Sequence, residues 1–122
     1  MYTYSQSTGV LSRDGTHVIT GYAGHGEGVN DPDMQGLKDV GPIPQGRYTM
    51  TGFVDEVPGT GLGTIVLKPD PANEMFGRGE FRIHGDNGKG DQSASDGCII
   101  AGHAADRQAI WDSNDRILEV VA

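Results

Sequence analysis

The sequence predicts a mainly β fold of short strands with one short helix. Three observations predict it: 20 glycines spread through 122 residues as punctuation between short runs, alternation of apolar and polar residues within those runs, and a single segment with helical spacing. The expected organisation is one domain over residues 1–122, long enough to bury its apolar side chains without metal or disulfide staples.

Taken in order, Tyr2 and Tyr4 alternate with polar residues, and Gly9-Val10-Leu11-Ser12 leads into Arg13-Asp14-Gly15-Thr16, where Asp-Gly is a strong hairpin-turn signal. His17 to Tyr22 is the return run, so a β-meander opens the chain. Residues 23–46 show neither period. A segment of that length without regular structure in so small a domain is expected to serve function, here as an ordered but mobile flap beside the residues around Cys98. Strands resume at Arg47–Val54 and at Thr64–Lys68, which Pro69 and Pro71 end, and then at Glu80–His84. In the last of these, Phe81 and Ile83 are expected to face the core, with Arg82 and His84 on the opposite, open face. His103 to Trp111 has helical spacing, with Ala105, Ala109 and Ile110 near one stripe and Trp111 beside it. Asp112-Ser113-Asn114-Asp115 breaks the helix and Arg116–Val121 closes the fold as a final strand.

Composition narrows the partners. A formal net charge of -8, from 17 acidic and 9 basic residues without a Lys/Arg run, excludes a nucleic-acid backbone from the expected partners. No stretch approaches the roughly 20 apolar residues of a membrane span. Met1-Tyr2-Thr3-Tyr4-Ser5 has neither the basic nor the apolar region of a secretory signal, so the chain is expected to be made in the cytoplasm without a signal peptide.

The only cysteine, Cys98, is set in Ser95-Asp96-Gly97-Cys98-Ile99-Ile100, fourteen residues after His84 of His84-Gly85-Asp86-Asn87. A thiol and an imidazole on two short elements suit a cysteine nucleophile: histidine takes up the thiol proton, its imidazolium stabilises the thiolate, and the thiolate attacks. Ser95, Asp96 and Gly97 make a polar, turn-forming approach that a core cysteine rarely has. Gly97 is expected to leave the amides beside the sulfur uncovered for an oxyanion. Three other readings compete. One is a non-enzymatic binding or interaction module in which Cys98 packs, and native-state alkylation separates it from a nucleophile. Another is a zinc site drawn from His84 and Asp86 with His25, Cys98 or His103, for which no recognised spacing exists; neither metal nor other cofactor is expected. The third is a papain-like or other cysteine peptidase or amidase, in which cysteine precedes histidine. Only His103 follows Cys98, and five residues along one segment is too close for a catalytic partner.

These residues carry a resemblance. His84-Gly85-Asp86-Asn87, a Gly/Ser-rich spacer and Ser95-Asp96-Gly97-Cys98 resemble the signature of L,D-transpeptidases, a histidine followed by Ser/Thr-His-Gly-Cys. Gly41-Pro42-Ile43-Pro44-Gln45-Gly46-Arg47-Tyr48 resembles a segment that precedes their central strands. Asp96 stands where that family has histidine and Ile100 where it has arginine. A closer resemblance is to a divergent branch with Ser-x-Gly-Cys-Ile that includes the Tlde1 antibacterial effectors of type VI secretion. It implies an L,D-transpeptidase-like β-sandwich or barrel with the helix after the catalytic cysteine. It also implies L,D-carboxypeptidase or L,D-transpeptidase activity, including D-amino-acid exchange, on peptidoglycan stem tetrapeptides. The expected partners are the secretion apparatus and a cognate immunity protein, and the expected place of action is the target cell's periplasm.

Carried over residue by residue, the resemblance makes Cys98 the nucleophile, His84 the base and the Gly85 carbonyl the orienter of the imidazole. Ser95 and Asp96 shape the site, and amides near Gly97 and Cys98 hold the oxyanion. An acidic chain acting on a carboxylate-rich substrate needs local cations. Arg82, Arg78, Lys89 and Arg47 are the candidates, with Asn87 of the histidine motif as a further substrate-binding residue.

Overall fold

The computed structural model describes residues 1–57 and 61–122. Eight strands form one curled sheet, half of a barrel: β1 (Tyr2–Ser5), β2 (Val10–Arg13), β3 (Thr16–Thr20), β4 (Gly46–Val57), β5 (Gly61–Pro69), β6 (Arg82–His84), β7 (Ile99–Ile100) and β8 (Ile117–Val121), in the order β3-β2-β1-β8-β4-β5-β6-β7. One helix, α1 (Ala104–Asp112), follows the cysteine segment.

The N-terminal meander forms as its sequence dictates. Asp14 and Gly15 take φ of 49° and 86°, the left-handed pair that matches the twist of the flanking strands. Sequence periodicity does not show that β8 inserts between the meander and β4, parallel to β1 and antiparallel to β4. This insertion joins the two halves of the sheet. The concave side is filled by Tyr4, Leu11, Tyr48, Ile65, Ile83, Ile99 and Leu118, all fully buried.

At the far edge, β6 is shorter than its apolar run. Glu80 adopts φ of 61°, which breaks the extended conformation before Phe81. Phe81 and Ile83 point into the core as expected. His84, however, is buried at 4% exposure instead of standing on an open face. The cause is an unforeseen two-residue strand: β7 pairs parallel with β6, and Tyr22 bridges to Ile100 beyond it, so His84 is not at the rim.

The helix also turns a different side inward. Ala105 and Ala109 are exposed, while Arg107 and Ile110 are buried and Trp111 stacks on Phe53 at 5.9 Å between ring centres. Alanine offers too little apolar area to orient so short a helix. The Ile110 side chain and the carbonyls that Arg107 satisfies decide its rotation.

Residues 23–46 contain two single 3-10 turns, Gly26–Gly28 and Pro32–Met34, and otherwise follow an irregular path held by hydrogen bonds. His25 N–H donates to Val40 O at 2.8 Å, fully buried Gln6 donates to Ile43 O at 2.9 Å, and Tyr48 O–H donates to Pro44 O at 2.7 Å. The segment lies against the Cys98 loop, where Gly24 N–H donates to Ser95 Oγ.

Removing the Ile83 side chain, which is fully enclosed beneath the β6–β7 pair, is expected to cost about 3 kcal/mol. Ala109→Ser, on the exposed side of α1, should stay within about 0.5 kcal/mol. Urea midpoints of the two variants check both; the reverse order would mean that the alanine stripe faces the core.

Candidate active site

The cysteine loop is organised by Ser95. Its fully buried hydroxyl donates to Cys98 O at 2.6 Å and accepts from Gly97 N–H at 2.9 Å and Gly24 N–H at 3.0 Å. A serine whose oxygen serves three backbone groups is a knot in the chain, and it ties residues 95–98 to the segment beginning at Gly24. Gly97 has φ of 138°, and a Cβ there would lie 2.5 Å from Arg78 Nη2 and 2.9 Å from the Phe81 ring. Only glycine fits. Its N–H is committed to Ser95, so the expectation of Gly97 as an oxyanion donor is corrected: the Cys98 N–H is the amide beside the sulfur with no acceptor among the described residues.

Arg78 holds the other side of this loop. Its guanidinium is buried and donates to the carbonyls of Gln35, Pro42, Gly41 and Asp96, with its carbon 5.2 Å from the centre of the Phe81 ring. Its terminal N–H groups are thus spent on backbone. Arg78 acts as a staple whose charge remains, and burial makes it easier to deprotonate than an ordinary arginine. Cys98 is half-buried, with Sγ 3.8 Å from Glu80 O and the Arg82 N–H directed at it. Asp96 is exposed, and its charge acts to raise the thiol pKa.

On β6, His84 Nδ1 is 2.8 Å from Gly85 O. A carbonyl only accepts, so this contact places the proton on Nδ1 and leaves Nε2 as the lone-pair nitrogen. Burial lowers the His84 pKa below its usual range; the Gly85 carbonyl opposes this, and the Arg107 and Arg82 charges reinforce it. Burial likewise pushes the Cys98 thiol up, against the pull of the Arg82 amide and guanidinium. Both shifts favour neutral forms. They run against an imidazolium and thiolate pair.

The register Ile83↔Ile99 and His84↔Ile100 sets Cys98 beside Arg82, one strand over and two residues short of the partner of His84. No hydrogen bond joins Cys98 to His84 among the described residues. Arg82 is half-buried next to both groups. Asn87 is turned to its own loop, donating to Ser93 Oγ and accepting from Lys89 N–H, and Lys89 is exposed; among the described residues neither bonds to the Cys98 loop. Arg47 pairs with Glu119 on β8 at 3.6 Å. Among the described residues no group of three or more His, Cys, Asp or Glu side chains gathers to hold a metal.

Sequence reasoning missed Arg107. From α1 its guanidinium, 3% exposed, donates to Gly63 O and Ala101 O and lies so close to Gly85 that a Cβ there would sit 3.1 Å from Nη1. Gly85 is therefore small because Arg107 stacks on it, and the peptide that orients His84 rests on a buried cation. The only trace in the sequence is an arginine three residues before Ile110, which the helical spacing alone does not mark as buried. Tyr22 was also overlooked: its O–H donates to Asp86 Oδ1 at 2.9 Å and accepts from Ala94 N–H, fastening both ends of the loop between His84 and Ser95.

Fold and site together define a small, mainly β protein whose lone cysteine immediately precedes β7, the strand that pairs parallel with the one carrying a buried histidine. The family model of the Tlde1 domain matches residues 17–120, and the chain belongs to that family. It is a family of peptidoglycan-targeting effectors of type VI secretion, which are secreted and act on target cells. No curated protein matches the chain. No helix among the described residues is long and apolar enough to cross a membrane.

Ser95→Ala leaves two buried N–H groups and one carbonyl without their partner, so a loss of about 3 kcal/mol is expected in urea unfolding. The His84 shift gives a sign for pH. As pH falls below the reference value of 6.5 the unfolded chain binds a proton that folded His84, with its lowered pKa, still refuses. Stability should therefore be fully present above pH 6.5 and decline as pH drops towards the folded pKa, and His84→Gln should flatten that part of the curve. An unchanged slope in the variant would show that His84 is not the group responsible.

Proposed function

We propose that residues 1–122 form one catalytic domain, a cysteine-dependent peptidoglycan-modifying enzyme with L,D-carboxypeptidase and L,D-transpeptidase activity on stem tetrapeptides. The observation that carries the reading is the His84 tautomer: Nδ1 is tied to the Gly85 carbonyl and Nε2 is left as a base on the strand beside Cys98. Cys98 immediately precedes β7, whose Ile100 is the register partner of His84. Membership of the Tlde1 family supports the peptidoglycan substrate.

The chemistry starts from neutral groups. As Cys98 Sγ attacks the carbonyl joining the L-centre of meso-diaminopimelate to the terminal D-Ala, Nε2 of His84 removes the thiol proton. The Cys98 N–H faces the developing oxyanion. When the tetrahedral intermediate collapses, the C–N bond breaks and His84 returns the proton to the departing amine, which leaves as D-Ala. A thioester on Cys98 remains. Water then attacks it with His84 again as base and regenerates the thiol, giving carboxypeptidase activity; an incoming D-amino acid gives exchange. Arg82, half-buried beside both groups, supplies positive charge for substrate carboxylates. In this reading the chain is delivered by the secretion apparatus into the periplasm of a target cell, and an immunity protein guards the producer.

A second reading, a peptidoglycan-binding module without catalysis, is favoured by one observation, the burial that raises the Cys98 thiol pKa. Mass analysis of muropeptides separates the two. Wild-type protein should release D-Ala, Cys98→Ala should release none while keeping its melting temperature, and His84→Ala should lose about 100-fold or more in rate. Because His84 must be neutral and its pKa is lowered, the rate should be fully developed at pH 7 and fall only in acid. Release of D-Ala by folded Cys98→Ala would overturn the mechanism.

A further inference from the structure

Arg107 reaches both peptide groups that follow His84 in the chain. The carbonyl of the first, His84 O, accepts from Ala101 N–H at 2.9 Å, and Ala101 O in turn accepts from Arg107 Nη1 at 2.5 Å. The second carries Gly85 O, which holds His84 Nδ1. Gly85 itself lies against the guanidinium: a Cβ built on it would stand 3.1, 3.2 and 3.3 Å from Nη1, Nη2 and Cζ. Three nearly equal distances mean that Gly85 rests on the flat face of the group and not against its edge. From a third direction Nε donates to Gly63 O of β5 at 2.8 Å, which fixes the plane of the guanidinium.

A guanidinium suits this place as no apolar side chain would. Two buried carbonyls need donors, and a rigid planar fork with its donors at the rim presents its face to a backbone. The carbonyl so placed, 2.8 Å from Nδ1, decides the tautomer, because it accepts and cannot donate. The positive charge has a second effect. The charges acting on His84 are Arg107 of α1, Arg82 of its own strand and Asp86 of the loop that follows; the two arginines oppose an imidazolium and Asp86 favours it. One residue on the helix thus bears both on the direction of the ring and on its readiness to take a proton.

We propose that Arg107 is a positioning residue for the reaction: by holding the two peptides after His84, it keeps the ring in the Nδ1–H tautomer with Nε2 left as the base. The part this plays in turnover rests on the enzymatic reading above; the hold on the ring does not.

The test reads His84 directly, by nitrogen NMR of the imidazole in isotope-labelled protein, with His84→Gln identifying its signals. In the wild-type protein Nδ1–H should outweigh Nε2–H by about tenfold or more. Arg107→Lys keeps the charge and loses the planar fork. Gly85→Ala pushes the peptide off the guanidinium and demands no left-handed backbone, since Gly85 is not among the positive-φ glycines. In both variants the tautomer preference should fall several-fold, and kcat for D-Ala release should drop about tenfold with KM little changed. Arg107→Met removes the charge as well, so His84 should titrate at higher pH than in Arg107→Lys, and the acid limb of the rate should move with it. If the Arg107 variants do not fold, Gly85→Ala, which leaves Arg107 in place, decides. An undiminished Nδ1–H preference in the folded variants, or a diminished one with wild-type kcat, overturns the proposal. A diminished preference in the variants of a protein whose wild type releases no D-Ala supports the hold on the ring and overturns the enzymatic reading instead.

Discussion

A buried guanidinium holds the working edge of this protein together. Residues 23–46 and 85–98 have almost no regular structure, so their carbonyls have no ladder to pair with, and a buried carbonyl without a donor costs free energy that a small domain lacks. Arg78 answers four of them, at Gln35, Gly41, Pro42 and Asp96, while its planar face lies on Phe81. Ser95 repeats the device with one hydroxyl between three backbone groups. Two irregular segments far apart in sequence thereby become one surface, and the cysteine is carried on it.

A second buried arginine works from the opposite side. Arg107 bonds carbonyls of β5 and of the residue after β7 and lies against Gly85, so the peptide that orients His84 is fixed by the helix as well as by its own strand. The pair of arginines also reconciles charge with site. The chain carries a net charge of -8, yet the groups acting on Cys98 and His84 include Arg78, Arg82 and Arg107, with Asp96 and Asp86 opposing. Local cations at short range in a partly desolvated site outweigh a diffuse surface charge that salt screens. Burial first, and the Arg107 and Arg82 charges after it, disfavour an imidazolium at His84.

The sequence by itself determined the β class, the Asp14-Gly15 hairpin, the inward placement of Phe81 and Ile83, the helix after Cys98 and the His84–Cys98 motif, because each rests on local rules: turn conformation, two-residue alternation, helical spacing and motif order. The resemblance carried by that motif and by Gly41–Tyr48 pointed to the family that the chain belongs to. The tertiary structure alone decided that β8 lies between β1 and β4, that β7 exists, that His84 is buried, that α1 turns Arg107 inward in place of two alanines, and that the Gly97 amide is already occupied. Strand order across a sheet, the partner of a buried guanidinium and the acceptor of a loop amide are contacts between residues tens of positions apart. No periodicity encodes them; they follow from which carbonyls remain unpaired once the chain has closed on its core.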